Sequence, residues 1–220
     1  MPRRFAVIDP LKVTITNVED EATEWMTAMN HPNQPEQGER EIPFSRNLWI
    51  ERDDFMEDAP RKFFRLKPGG EVRLRYAYIM RCDDVIKDEI GNVIELLCSI
   101  DKDTRSGSGN ERKVKGTIHW VSADHAIPAA VNLYDRLFKA PAPGGDDFLS
   151  MLNPESLRVA QAQLEPSLEA ANATVQFERL GFFTPDVSSS ADKIRFNRVV
   201  TLRDSWAKLE KQAMLQLERG

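Results

Sequence analysis

Glu71-Val72-Arg73-Leu74-Arg75-Tyr76-Ala77-Tyr78 alternates cleanly enough to be read as a strand with one face buried. The alternation places Val72, Leu74, Tyr76 and Tyr78 on an apolar face, with Arg73 and Arg75 on the opposite one. Downstream, Val93-Ile94-Glu95-Leu96-Leu97-Cys98 is a second strand, reached through Glu89-Ile90-Gly91-Asn92, where Gly-Asn marks a hairpin. Upstream, Leu11-Lys12-Val13-Thr14-Ile15-Thr16 has the same period. Lys113-Val114-Lys115-Gly116-Thr117-Ile118-His119-Trp120-Val121 follows the polar loop 105–110, and further strands are expected over 175–183 and 194–202. Many short strands punctuated by Gly, Pro and Asn predict a mainly β chain of barrels or a sandwich.

Helical signals are few. Short turns are expected at 53–56 and 153–157, and Trp206, Leu209, Ala213 or Met214, and Leu217 give 205–219 the spacing of an amphipathic helix. Pro141-Ala142-Pro143-Gly144-Gly145 is the best linker candidate, and 60–68 holds a second junction. The two breaks set a middle segment, about 60–140, apart from a discontinuous outer part.

The 220 residues carry a formal net charge of −5 and are 41% hydrophobic, enough for one large β domain or two small ones. No apolar run of about 18 residues is present, the start lacks a signal-peptide core, and two cysteines make no disulfide framework; the reading is cytoplasmic, with no membrane partner. Charge is uneven. Between Arg61 and Arg81 lie seven basic residues and one acid, Glu71, a local patch suited to a polyanion or an ordinary solvated strand face.

Catalytic signatures are missing. There is no Walker loop, no dinucleotide fingerprint and no His-Glu-x-x-His, and Ser106-Gly107-Ser108-Gly109 has no helix after it. His31, His119 and His125 have no metal-ligand spacing, so no metal site is expected, and His119 beside Trp120 is read as a satisfied strand residue. Cys82 and Cys98 are read as two buried thiols that face each other across the hairpin. RNA fits better: single strands are recognised by splaying, stacking and edge hydrogen bonds. Arg73 and Arg75, two apart on one face, would stand roughly 6.5–7 Å apart. Tyr76 and Tyr78, on the apolar face, are read as core.

Longer words carry a family resemblance. Phe5-Ala6-Val7-Ile8-Asp9-Pro10-Leu11-Lys12-Val13, Asn30-His31-Pro32-Asn33, Arg40-Glu41-Ile42-Pro43-Phe44-Ser45 and Trp49-Ile50-Glu51-Arg52-Asp53-Asp54-Phe55 come first. Phe64-Arg65-Leu66, Lys113-Val114-Lys115-Gly116-Thr117-Ile118-His119-Trp120-Val121-Ser122-Ala123, Leu133-Tyr134-Asp135-Arg136-Leu137-Phe138, Asn153-Pro154-Glu155-Ser156-Leu157, Gln176-Phe177-Glu178-Arg179 and Phe196-Asn197-Arg198 follow. In this order they resemble the C-terminal anticodon-binding region of the glutaminyl-tRNA synthetases, over about residues 3–208.

The resemblance implies two β-barrels of the ribosomal L25-like type with a C-terminal helical tail. Residues 1–59 with 141–208 would form the proximal barrel, 60–140 the distal one, and 209–220 the tail. It implies an aminoacyl-tRNA synthetase, a ligase that joins glutamine to tRNA(Gln). The catalytic domain, with its ATP and Mg, would lie upstream of Met1 in a longer, monomeric parent, and the present piece would bind the tRNA(Gln) anticodon stem-loop without charging it and without a cofactor of its own.

Residue by residue, Arg73 matches the contact for the first anticodon base and Arg65 that for the third. Arg3 and Gln176 match contacts to the middle uracil, together with Lys62. There the best-known bacterial pattern has glutamine, and lysine offers donors but no acceptor. Asn33, Arg75, Lys115 and Arg179 are candidate phosphate or loop contacts. The segment 17–28 departs from the family in length and content, and Trp25 receives no role. Alternatives are the corresponding region of a glutamyl-tRNA synthetase, an L25-like rRNA-binding protein and a protein-interaction module.

Overall fold

The apolar run Phe5-Ala6-Val7-Ile8 organises the chain, because it is buried on both sides. In this computed structural model, which describes residues 1–110, 112–139 and 148–202, Phe5 and Val7 enter one hydrophobic core while Ala6 and Ile8 enter another. A strand covered on both faces has no polar alternate positions, so its sequence reads as continuous apolar residues.

Sixteen strands occur among the described residues. The first six are β1 Arg3–Arg4, β2 Ala6–Val7, β3 Pro10–Ile15, β4 Glu24–Met29, β5 Glu39–Phe44 and β6 Asn47–Glu51. β7 Glu71–Leu74, β8 Ile79–Lys87, β9 Val93–Asp101, β10 Thr117–Ile118 and β11 Val121–Ser122 follow. The last five are β12 Ile127–Tyr134, β13 Leu157–Leu164, β14 Val175–Phe177, β15 Gly181–Pro185 and β16 Arg195–Thr201. They form two barrel-like, seven-stranded sheets, ordered β10-β7-β8-β9-β3-β6-β11 and β1-β14-β15-β16-β12-β13-β2, with β4 and β5 as a separate antiparallel pair. No helix of the described residues is long and apolar enough to cross a membrane.

Period-two burial builds these strands. Leu11, Val13 and Ile15 are buried in β3, and Leu96, Cys98 and Ile100 in β9. The β8–β9 hairpin turns where the sequence signals it, with Gly91 at φ 89° and the Asp88 carboxylate accepting from the Ile90 and Asn92 N–H groups. Cys82 stands opposite Cys98 in this ladder, and both are buried free thiols.

The pairing divides the chain elsewhere than at the expected 1–59/141–208 and 60–140 boundaries. β3 and β6 join the sheet that contains β7 to β11, through registers such as Lys12↔Glu95 and Lys12↔Trp49. Proline punctuation marks where strands stop, whereas membership in a sheet is decided by partners about 80 residues away.

Three expected strands are interrupted. The one over 71–78 ends at Leu74, where the Ala77 N–H donates to the Leu74 carbonyl and Tyr76 takes φ 65°. The one over 113–121 splits at His119 and Trp120, whose rings bond outside the ladder to the Ala6 and Arg75 carbonyls, at 2.9 and 3.0 Å. The one over 175–183 is a hairpin, with Arg179 at φ 67° in its turn. Arg52–Asp54 forms a 3-10 turn, but 153–157 is an Asx turn in which Asn153 accepts from the Glu155 N–H. The linker at 141–145 and the helix at 205–219 lie outside the described residues.

Candidate nucleic-acid interface

β7 carries Arg73 outward while Val72 and Leu74 are fully buried. The strand is held on one side by β8 and on the other by β10, with the Arg73 N–H donating to the Gly116 carbonyl at 2.9 Å. From this base the Arg73 guanidinium donates to the carbonyls of Thr104, at 2.9 Å, and Arg112, at 3.1 Å. Arg73 lines a concavity of about 620 Å³ with Arg105, Asn110, Arg112 and Lys113. The walls are pinned by ion pairs. Arg112 reaches Glu71 at 2.7 Å and Asp101 at 3.1 Å, and Arg105 reaches Glu24 at 2.5 Å. The polar loop 105–110 is thus one side of a basic hollow, whose Arg105 and Arg112 the reading of the 61–81 basic window missed.

A second concavity, of about 390 Å³, is lined by Arg61, Phe63, Phe64, Arg65, Lys67 and Lys115. Lys113 and Val114 line both hollows, so the two are neighbours across one ridge. Arg65 donates to the Asp53 carbonyl at 2.8 Å and lies 3.4 Å from the Asp54 carboxylate. Phe64 is half exposed at the lip, with the Lys115 ammonium 5.1 Å from its ring centroid. An exposed ring with a cation beside it offers both a stacking face and a phosphate partner. Gly116 permits this lip, because a Cβ there would stand 2.1 Å from the Phe64 carbonyl oxygen.

Arg3 and Gln176, both matched to the middle uracil, stand opposite each other in adjacent strands. β1 runs parallel to β14 with Arg3 opposite Gln176, and the Gln176 N–H donates to the Pro2 carbonyl at 2.9 Å. Val175 and Phe177 are buried, which turns Gln176 to the half-exposed face. Next to it, Glu178 is buried and faces Arg3 at 3.5 Å and Arg75 at 3.7 Å. The Nε atoms of Arg3 and Arg75 are buried with no hydrogen-bond partner among the described residues.

Arg75 therefore does not share a strand face with Arg73. The turn after Leu74 sends its guanidinium 5.4 Å over the Tyr76 ring and toward Glu178. Tyr78 belongs to the core, and Tyr76 packs against it. Arg179 donates to both oxygens of Asp54, at 2.6 and 2.7 Å. Burial opposes the Arg179 charge, but Asp54, Glu51 and Glu178 together outweigh it and hold the guanidinium above its ordinary pKa. Lys62 is exposed in the turn at 61–62, without a hydrogen bond or ion pair to another described residue. Asn33 sits in an exposed turn after β4, its N–H on His31, and lines neither hollow. Asp54 and Glu178, which hold these arginines, were missed in the sequence because they are two of 35 scattered acids.

Two family models described as "tRNA synthetases class I (E and Q), anti-codon binding domain" match residues 1–101 and 117–186. Among curated relatives, a glutamine–tRNA ligase of Vibrio campbellii is 52% identical over 96% of this chain and 39% of its own length. Those of Rhodopirellula baltica and Bordetella avium are 53% and 55% identical, over 95% and 93% of this chain and 36% of their own lengths. The chain thus spans less than two fifths of the length of these relatives.

Proposed function

We propose, from the premise that this chain belongs to the anticodon-binding domain family of the class I tRNA synthetases (E and Q), that its basic face reads the anticodon loop of tRNA(Gln). The supporting observation is the pair of neighbouring hollows, one served by Arg73 and the other by Arg65, with the Phe64 ring and Lys115 at the shared side. Adjacent pockets separated by a ridge suit bases splayed from a loop, each taking hydrogen bonds on its edge. Arginine is suited to this work because its planar fork can grip two acceptors of a base, or a phosphate, at once.

In this reading Arg73 contacts the first anticodon base, Arg65 the third, and Arg3 with Gln176 the middle uracil. Lys62, exposed beside the second hollow, supplies charge but no acceptor. Lys115 and Arg75 hold phosphates, and Arg179 and Asn33 support the loop. The parent protein would be a monomeric, cytoplasmic ligase that joins glutamine to tRNA(Gln). No group of three His, Cys, Asp or Glu among the described residues is placed to hold a metal. ATP and Mg would be used by the catalytic domain that the family resemblance places elsewhere in the parent.

Fluorescence anisotropy of the 220-residue chain with a glutamine-tRNA anticodon stem-loop, at fixed salt, tests this. Tighter binding of the matched loop than of one with its middle uracil changed is expected. Equal, salt-sensitive binding of both would mean general polyanion attraction and would overturn base reading by this chain.

A further inference from the structure

Asp54 touches neither hollow, yet it stands between two of the arginines that matter most. Its carboxylate is 1% exposed and takes both forks of Arg179 on one side and the Arg65 Nε on the other. Its carbonyl accepts from the Leu66 N–H at 2.9 Å, and the Met56 N–H donates to the Leu66 carbonyl at 3.1 Å, so the backbone beside Arg65 is fixed to the same turn. Arg179 lies in the β14–β15 turn, one residue from Glu178, which faces Arg3 and Arg75, and three from Gln176. Arg65 itself is nearly half exposed, with a 44% accessible side chain, and its described polar partners are Asp54 and the Asp53 carbonyl.

We propose that Asp54 is a positioning residue that aims Arg65 and ties it to the β14–β15 turn, so that recognition at the Arg65 hollow and at Gln176 is energetically coupled. The inference rests on the reading of Arg65 and Gln176 as contacts to bases. A buried carboxylate between two guanidiniums fixes their directions, because each must stay in reach of an acceptor that water cannot replace. Without that charge Arg65 would keep only the Asp53 carbonyl and the Phe63 ring, which leave its direction less constrained, and Arg179 would be left buried without its anion.

The test uses the 220-residue chain and four stem-loops: matched, third base changed, middle base changed, and both changed. The unsubstituted chain should discriminate at the third base by about 5–150-fold. In Asp54→Asn, which keeps the side-chain shape, that ratio should fall toward one, and the penalties at the two positions should become independent. On an Arg65→Ala background Asp54→Asn should change third-base discrimination no further, which a general loss of fold would not reproduce. If Asp54→Asn does not fold, as judged by thermal unfolding, Arg179→Lys keeps the charge while removing the fork, and should lower third-base discrimination although Arg65 is intact. Discrimination that survives these substitutions, or affinity lost equally for all four loops, overturns the inference alone. No discrimination by the unsubstituted chain overturns the anticodon reading and this inference with it.

Discussion

Gly116→Ala should damage both stability and the lip of the second hollow, and its size follows from one close approach. An added Cβ would meet the Phe64 carbonyl oxygen at 2.1 Å, the Phe64 carbonyl carbon at 3.1 Å and Val72 Cγ1 at 3.2 Å. The first contact is more than 1 Å too short and involves backbone, so no rotamer change relieves it. Either the 63–65 segment lifts away or Gly116 recedes from β7. The second response strains the 2.9 Å bond from the Arg73 N–H to the Gly116 carbonyl. Overpacking costs about 1–3 kcal/mol. A buried backbone hydrogen bond contributes about 1 kcal/mol. The expected loss is therefore about 2–4 kcal/mol, a large share of a typical folding stability of about 5–15 kcal/mol.

Urea denaturation reads the loss as a lower midpoint at unchanged slope. For a chain of this size a melting shift of about 4–16 °C corresponds to it. Anisotropy on the folded fraction should show weaker stem-loop binding, since Phe64 and Lys115 flank the displaced backbone. An unfolding free energy within about 0.5 kcal/mol of the parent would place Gly116→Ala among ordinary surface changes. That result would refute the claim that the two backbones must touch.

Arg73→Ala should cost about 1–3 kcal/mol of stem-loop binding and relax discrimination at one base; equal losses for all anticodon variants would reduce it to a backbone contact. Lys115→Ala should instead weaken every loop alike and lower the salt slope by about 1, so a change in base preference would count against a phosphate role. Burial and the Glu24 carboxylate push the Tyr78 hydroxyl up to about 12, so the folded chain keeps a proton that the unfolded chain releases near pH 10. That contribution is present below about pH 10 and is lost as pH rises toward about 12, and Tyr78→Phe should flatten the fall of Tm across this window; parallel curves would refute it. Cys82 and Cys98 are fully buried, so neither should react with an aromatic disulfide reagent until urea unfolds the chain. Fast labelling under native conditions would contradict their burial.

The strands that sequence reading found are those whose partners leave one face to solvent. β3 and β9 alternate because only one side of each meets the core. The expected strand over 71–78 continues past its true end because nothing local marks Tyr76 as a left-handed residue; neither Gly nor Asn stands there. His119 and Trp120 sit in a run that looks like continuous strand, and the carbonyls that draw their rings aside, Ala6 and Arg75, are distant in sequence. Arg65 and Arg73 were reached through the basic window 61–81 and the family resemblance, and the fold sets them in two neighbouring hollows. Arg75 was assigned a neighbouring place on the same face, and the turn at Tyr76 moved it to Glu178 instead.

The acids explain why a chain of net charge −5 can present a basic face. Glu51, Asp54, Glu165 and Glu178 are all buried, and each meets a cation or a backbone N–H beneath the surface. Glu51 accepts from the Ile8 and Asp9 N–H groups, and Glu165 accepts from the Phe5 N–H and from Arg40. These carboxylates cap the ends of the strand that feeds both cores, where no ladder partner is available. Asp54 and Glu178 continue the same arrangement outward, to Arg65 and Arg179 in one case and to Arg3 and Arg75 in the other. Buried acids that look unassigned in the sequence thus hold the arginines of the face, and a polyanion meets cations whose directions are already set. Because Phe5 and Val7 pack in one core and Ala6 and Ile8 in the other, the hollows and the Arg3–Gln176 pair are carried on one continuous support. Contacts that are aimed before binding lose less side-chain entropy on association, which is the physical basis for expecting base discrimination from this chain by itself.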